Sequence, residues 1–123
     1  MRKPGSIRKV DFADSGAGPI VLFVPGSYST TAVWRPIQRA LPPRWRFVAT
    51  SLCGYGKTIE TRTLNDFDIA HEVRVIEATA HAAGGGPIHL VGHSFGGTVA
   101  LAAALTGRLE VNSLSLFEAN PLA

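Results

Sequence analysis

The stretch LVGHSFGGTVALAAAL, residues 90–105, decides the fold. It begins in an apolar run, passes through a turn with glycines close on both sides of Ser94, and continues as an alanine-rich run. A short apolar run predicts a buried strand, and the longer alanine-rich run predicts a helix. A strand that turns directly into a helix is typical of α/β folds with a parallel sheet. Ser94 is therefore predicted at the carboxyl end of a strand, where such sheets bind ligands.

Strand-like and helix-like segments alternate along the rest of the chain as well. We predict an outer strand at 6–16, buried strands at 19–24, 45–52, 87–92 and 112–118, and helices at 30–41, 63–86 and 95–107. Alternation at these lengths predicts right-handed βαβ units, and hence a mostly parallel sheet with helices on both faces. Thr63 and Asp66 have the spacing of a capping box, and Gly107 is expected to close the last helix. We expect residues 1–123 to form one domain.

The composition limits the classes of partner. The chain is 46% hydrophobic and 17% charged, which favours a folded globular protein over disorder. Its net charge of +3 comes largely from Arg2, Lys3, Arg8 and Lys9. We interpret these residues as a solvated start and not as a nucleic-acid-binding arm, because no basic stripe with aromatic residues follows them. Cys53 is the single cysteine, so a disulfide framework within the chain and a cysteine-based zinc cluster are excluded.

The first ten residues, MRKPGSIRKV, lack the apolar segment of a signal peptide. No run of about 18 apolar residues follows, so the sequence predicts no membrane span. A single cysteine also fits a reducing compartment. We therefore expect a cytoplasmic protein with no nucleic acid and no membrane as partner, and we predict no metal and no cofactor.

The residues Gly92-His93-Ser94-Phe95-Gly96 fit the pattern G-x-S-x-G between a predicted strand and a predicted helix. Such a tight turn holds the serine in a strained backbone conformation and exposes its hydroxyl. The residues two positions away pass close to the serine, which requires glycine at 92 and 96. The N–H of Phe95 then points to where an oxyanion forms, at the positive end of the helix. The pattern predicts Ser94 as a catalytic nucleophile.

With this motif the sequence resembles the α/β-hydrolase family. The stretch VLFVPGSYSTTAVW, residues 21–34, is similar to the family's strand and glycine turn that lead into the oxyanion loop. Pro25 replaces the usual histidine of that turn, and Gly26 matches its glycine. In the family the residue after this glycine gives the second oxyanion N–H, and the resemblance places that role on Ser27.

The stretch SLCGYGKT, residues 51–58, is similar to the family's R-G-x-G-x-S segment, with Cys53 in place of arginine. We interpret Cys53 as a small buried residue and not as a reactive thiol. The same stretch ends like a phosphate-binding P-loop. Ser51 stands where a P-loop needs glycine, and residues 61–63 come between the loop and the predicted helix. A phosphate-binding α/β domain stays an alternative on these residues.

The serine mechanism also needs a histidine base and a carboxylate that orients it. The chain has four histidines, which we interpret as structural or surface residues: His71, His81, His89 and His93. The family takes its base from a loop after the last strand, and nothing in the sequence corresponds to that loop. Glu118 is the last residue of the predicted strand at 112–118. Some family members carry the acid at that position, and others take it from the next strand.

The resemblance therefore implies the N-terminal portion of an α/β-hydrolase, truncated before the last strands, whose catalytic histidine lies outside this chain. The implied reaction is hydrolysis of a small ester or related acyl substrate, since family members that open epoxides or cleave C–halogen bonds usually carry aspartate at position 94. A haloperoxidase-like or C–C bond hydrolase stays open, as does a non-catalytic half-domain that binds a partner. We expect the isolated chain to be inactive, and poorly soluble because the strand at 112–118 presents an unpaired edge.

Overall fold

Five strands and three α-helices alternate in the computed structural model, which describes residues 9–119. The strands are β1 (Ala13–Ser15), β2 (Ile20–Val24), β3 (Arg46–Ala49), β4 (Ile88–His93) and β5 (Val111–Phe117). The helices are a 3-10 turn (Thr31–Trp34), α1 (Arg35–Ala40), α2 (Ala70–Ala82) and α3 (Phe95–Leu105). Within the described part of the chain, none of these helices has the length and apolar character needed to cross a bilayer. Arg2, Lys3 and Arg8 lie outside it, as does the start of the strand predicted at 6–16.

The strands form one sheet in the order β1-β3-β2-β4-β5. β1 pairs with β3 in antiparallel fashion, and all other neighbours are parallel, as the alternation of segments predicted. Val24 pairs with Gly92, and His93 pairs with Phe117. The carboxyl ends of β2, β4 and β5 therefore end at the same level, so the loops that follow them meet at one edge.

The helices cover both faces of this sheet, and each face has its own hydrophobic cluster. The larger cluster joins the sheet to α2 and α3, and includes Ile20, Leu22, Val24, Val48, Val73, Ile76, Ile88, Leu90 and Val99. The smaller cluster joins the other face to the 3-10 turn, and contains Val21, Phe23, Trp34, Phe47 and Ala49. Alternate residues of β2 belong to different clusters, as expected for a strand covered on both faces.

The predicted helix at 63–86 begins later than the sequence indicated. Thr63 and Asp66 do not form a capping box, because each backbone N–H donates to the other residue's carbonyl and closes a separate turn. The first helical N–H, that of Ala70, donates instead to Asp68 Oδ1 at 2.8 Å. The predicted strand at 45–52 is also shorter, since its last residues leave the sheet for the loop after β3.

The prediction of a buried strand at 112–118 is correct for the strand, β5, and wrong for its burial. Most of its residues are exposed, among them Leu116 at 39% and Phe117 at 55%. The physical reason is that β4 pairs with one edge, whereas no other described strand pairs with the outer edge. Gly107 has a φ of 72° just after α3, as expected for a residue that closes a helix.

This edge leads to a prediction for the isolated 123-residue chain. We expect it to form oligomers at micromolar concentration, because β5 offers unpaired backbone groups beside exposed apolar side chains. Ser115→Lys places a charge on that strand and should shift the chain from oligomer to monomer in size-exclusion chromatography with light scattering. Thr106→Lys adds the same charge away from the sheet and should change nothing. A monodisperse, cooperatively melting monomer of the unchanged chain contradicts this expectation.

Candidate active site

Ser94 lies in the connection between β4 and α3 in an unusual backbone conformation. Its φ is 55° and its ψ is −127°, a backbone region that residues other than glycine rarely adopt. The Ser94 N–H donates to the Phe117 carbonyl at 2.9 Å, and the Ser94 carbonyl accepts from the Gly97 N–H at 2.9 Å. These bonds tie the turn to β5 on one side and to the first turn of α3 on the other. The fold thus holds Ser94 in a strained conformation that the loop alone would not keep.

The two glycines beside the serine lie against backbone atoms. A Cβ at Gly92 would lie 2.6 Å from the Gly96 carbonyl oxygen. A Cβ at Gly96 would lie 2.5 Å from the Val24 carbonyl oxygen, and it would also overlap the Pro25 carbonyl. Neither neighbour is a flexible side chain that can move away. α3 can therefore approach the ends of β2 and β4 only because both positions lack a side chain.

Two backbone N–H groups belong to loops that meet at this edge of the sheet. Phe95 is the first residue of α3, so its N–H has no carbonyl acceptor within the helix. Gly26 is buried, and a Cβ there would lie 3.2 Å from the Ser94 Cβ. Ser27 is exposed and follows Gly26 directly, which places its N–H in the loop beside the serine. The residues that the sequence singled out after β2 and after β4 are therefore neighbours in space.

Ser51, which stands where a P-loop needs glycine, holds the loop after β2 in place. The Ser51 hydroxyl donates to Asp11 Oδ2 at 2.6 Å and accepts the Thr31 N–H at 3.1 Å. Ser51 is fully buried, so these bonds are shielded from water. Because Asp11 and Thr31 are 40 and 20 residues from Ser51, no local pattern in the sequence indicates their contact.

The hydrogen bonds of Thr58 argue against the phosphate-binding alternative. The Thr58 hydroxyl donates to the Ser51 carbonyl at 2.7 Å and accepts the Asp11 N–H at 2.9 Å, so it is used within the protein. The next helix begins only at Ala70, whereas a P-loop leads straight into its helix. Residues 51–58 therefore serve as an internal support of the loop and lack the geometry of a phosphate cradle.

A second buried contact fixes the loop after β3 from the side of α2. Glu72 is only 1% exposed, and its Oε1 accepts the Cys53 N–H at 2.8 Å. Its Oε2 lies 3.2 Å from Arg62 Nη1, and Arg62 also donates to the Cys53 carbonyl and to Glu60. Burial, together with the nearby Glu72 carboxylate, raises the pKa of the Cys53 thiol to about 11. Cys53 is therefore a protonated, structural cysteine at neutral pH.

This contact gives a prediction on stability. Glu72→Ala should lower the free energy of unfolding by about 2 kcal/mol, because it leaves the buried Cys53 N–H without an acceptor. Glu72→Gln keeps an oxygen for that N–H and should lose only about half as much. Urea unfolding, followed by tryptophan fluorescence at low protein concentration, measures both values. Equal losses in the two variants would show that the carboxylate charge matters and the Cys53 bond does not.

None of the four histidines, all of which lie within residues 9–119, forms a hydrogen bond with Ser94. His71 is buried, with Nδ1 2.8 Å from Thr61 Oγ1 and Nε2 2.9 Å from Asp66 Oδ2. That contact with His71 lowers the pKa of Asp66. His89 Nδ1 lies 2.7 Å from Ser113 Oγ. His81 is exposed, on the last turn of α2.

Glu118 is paired with the histidine that precedes the serine. His93 Nε2 lies 3.1 Å from Glu118 Oε1, and Glu118 has a positive φ of 52° that turns it back toward β4. Both side chains are open to solvent, at 41% and 85% exposure. The candidate acid thus lies at the same edge as Ser94, but its partner is the wrong histidine for a serine triad. Among the described residues, no group of His, Cys, Asp and Glu side chains is arranged to hold a metal ion.

Residues 19–122 match the family model described as alpha/beta hydrolase fold. An alpha/beta hydrolase from Sphaerobacter thermophilus has a TM-score of 0.79 and 31% identity, over 89% of this chain and 41% of its own. Epoxide hydrolase VrEH1 from Vigna radiata has a TM-score of 0.78 and 30% identity, over 90% of this chain and 39% of its own. The curated 2-(acetamidomethylene)succinate hydrolase of Mesorhizobium japonicum is 34% identical over 96 residues, which cover 74% of this chain and 32% of that protein. The chain thus spans less than half the length of each of these proteins.

Proposed function

Because this chain belongs to the α/β-hydrolase family, we propose that it carries the nucleophile and the oxyanion-binding loops of a serine hydrolase that cleaves a small ester or related acyl substrate. The observation that carries this proposal is the backbone of Ser94, with a φ of 55° at the junction of β4 and α3. Acyl transfer requires a strained serine at the carboxyl edge of a parallel sheet, beside backbone N–H donors. We assign those donors to Phe95 and Ser27.

In the proposed reaction the Ser94 hydroxyl attacks the acyl carbon as its proton passes to a base. The carbonyl oxygen gains negative charge, and the N–H groups of Phe95 and Ser27 hold it. The positive end of α3 stabilises the same charge. The leaving group departs with a proton, and water then releases the acyl group from Ser94. These donors are backbone groups fixed by the turn, so little reorganisation is needed as the charge develops.

We propose that the base is a histidine outside this chain, since His71, His89 and His93 have other partners. The fourth histidine, His81, lies in the last turn of α2, away from the strand end that carries Ser94. Such a base has to approach Ser94 from the open carboxyl edge of the sheet. Glu118 then has to exchange His93 for that histidine if it is the acid. If the acid instead comes from elsewhere, the pair of His93 and Glu118 remains as a link between the ends of β4 and β5.

The comparisons agree on hydrolysis and differ in the bond that is cleaved. VrEH1 is an epoxide hydrolase, and the curated relative is named for hydrolysis of an acetamido compound. Epoxide opening in this family usually relies on aspartate, whose ester with the substrate is then hydrolysed. Position 94 is serine, which suits attack on an acyl carbon. We therefore propose an ester, amide or related acyl substrate, and the substrate named for the curated relative carries an acetamido group.

One observation favours a second candidate, a hydrolase-like subunit that binds another polypeptide. The exposed β5 edge, with Leu116 and Phe117 open to solvent, suits the addition of a partner strand. This candidate requires no reaction at Ser94. Chemical trapping of the serine separates it from the proposed enzyme.

The test starts from the coding sequence beyond codon 123. If the frame continues, the complete product is treated with a fluorophosphonate, which forms a covalent bond with an activated serine, and the modified peptide is located by mass spectrometry. We expect modification at Ser94, lost in Ser94→Ala and after unfolding. Absence of labelling in the folded complete product, or a native stop codon after Ala123 with no partner that restores labelling, overturns the proposed enzyme.

A further inference from the structure

Tyr28 is placed in the loop after β2 at an energetic cost. Its φ is 63°, in the left-handed region that glycine adopts readily and that strains the backbone of an aromatic residue. Its side chain is 91% exposed, so burial of the ring does not repay this cost within the described residues. Strained residues of this kind gather at binding and catalytic sites, where the conformation serves a purpose. The strained backbone of Tyr28 therefore indicates a role for its exposed ring.

Tyr55 supports this ring from the loop after β3. The two ring centroids are 5.7 Å apart with an interplanar angle of 69°, an edge-to-face arrangement. Tyr55 is half-buried and packs against the larger hydrophobic cluster, which also holds Phe95. Its position is thus fixed by the core, and by the contact of Cys53 with Glu72 two residues earlier in the loop. Tyr28 consequently has a rigid support on one side while most of its surface stays open.

The loop that carries Tyr28 lies beside the serine. Gly26 contacts Ser94, with 3.2 Å between a Cβ built at Gly26 and the Ser94 Cβ. Tyr28 is two residues further along, so its Cα is at most about 7.6 Å from that of Gly26. The intervening residue, Ser27, is the proposed oxyanion donor. The backbone of Tyr28 is therefore within about 8 Å of the residue that lies against Ser94, a separation of the size of one small molecule.

We propose that Tyr28, supported by Tyr55, is a shelf that binds an aromatic ring of the substrate, which makes the substrate an aryl or arylalkyl ester or amide. A tyrosine ring presents a large, rigid surface at a small cost in side-chain entropy. Rings that pack edge-to-face or offset gain more than their buried area alone provides, so an aromatic group is preferred to a saturated ring of the same size. The substrate class rests on the proposed function, whereas recognition of the ring does not.

The test is binding of phenylacetate to the 123-residue chain carrying Ser115→Lys, the substitution expected to keep it monomeric. Binding is measured by NMR on isotopically labelled tyrosine rings, with cyclohexylacetate as the matched probe of equal charge. We expect phenylacetate to shift the Tyr28 ring signals and to bind several-fold more tightly than cyclohexylacetate. Tyr28→Ala should weaken binding about tenfold, and Tyr28→Phe should stay within about twofold, because the ring and not the hydroxyl makes the contact. Leu64→Ala removes another exposed apolar side chain, 96% exposed, and should have no effect.

The outcomes distinguish this inference from the proposed function. Ser94→Ala should leave phenylacetate binding unchanged. Ring binding together with an absence of fluorophosphonate labelling at Ser94 in the folded complete product supports the shelf and rejects the serine hydrolase. Equal affinity for the two probes, or binding unaffected by Tyr28→Ala, overturns the shelf. Tyr28 signals that shift with protein concentration in the absence of any probe would place the ring at an interface between copies of the chain, which also overturns it.

Discussion

Ser94→Ala is expected to lower kcat for ester hydrolysis by about 10⁶-fold in the complete protein that supplies the histidine base. The loss is this large because the base and the acid act only through the serine oxygen, so nothing of the triad's effect remains without it. The residual rate should come from the N–H groups of Phe95 and Ser27, which still hold the oxyanion when water attacks. Steady-state kinetics with p-nitrophenyl acetate measure this change, with kcat falling far more than KM rises.

A matched control for this variant is Ser15→Ala, which removes an exposed hydroxyl on β1 at the opposite edge of the sheet and should leave kcat unchanged. The 123-residue chain alone should show no detectable hydrolysis with either serine or alanine at position 94, because no described histidine reaches Ser94. Turnover by the chain alone that disappears in Ser94→Ala would show that one of its own histidines serves as the base. A loss below tenfold in the complete protein would remove Ser94 from the role of nucleophile.

Gly96→Ala is expected to have the largest effect on stability, a loss of about 3 kcal/mol in the free energy of unfolding. The added Cβ would lie 2.5 Å from the Val24 carbonyl oxygen and would overlap the Pro25 carbonyl. Both are backbone atoms at the end of a fully buried strand, so relief requires α3 to move away from the sheet. That movement opens the larger hydrophobic cluster and displaces Ser94. Urea unfolding followed by tryptophan fluorescence measures the loss.

Gly107→Ala is the control for this substitution, because it adds the same methyl group just beyond the other end of α3. No atom lies within 4 Å of a Cβ at Gly107, although its φ of 72° is unfavourable for alanine. We expect a loss of about 1 kcal/mol from conformation alone. If Gly96→Ala costs no more than Gly107→Ala, then the close approach of α3 to β2 is not a requirement of the turn.

Much of the fold followed from the sequence by itself, because it depends on local order along the chain. The alternation of apolar runs and helix formers, with glycines around Ser94, predicted the parallel sheet, the helices on both faces and the strand–helix turn. These features depend on periodicity and on the steric needs of a tight turn, which a few neighbouring residues express. The family model that matches residues 19–122 supports the same conclusion.

The tertiary structure decided what depends on residues far apart in the chain. Thr63 and Asp66 had the spacing of a cap, yet the start of α2 is set by Asp68 and by the contact of Glu72 with Cys53, 19 residues away. The support that Ser51 receives from Asp11 likewise joins two loops that no local pattern connects.

The sequence therefore determined that Ser94 stands in a strained turn at the end of a strand. Only the tertiary structure brought the loop after β2 next to Ser94 and paired His93 with Glu118. It also showed that the side chains of β5 are exposed, beside the unpaired edge that the sequence predicted. The spacing of residue types within one segment indicates the backbone conformation of that segment. Contacts between segments depend on how the sheet brings the strand ends together, and that arrangement is a property of the whole described chain.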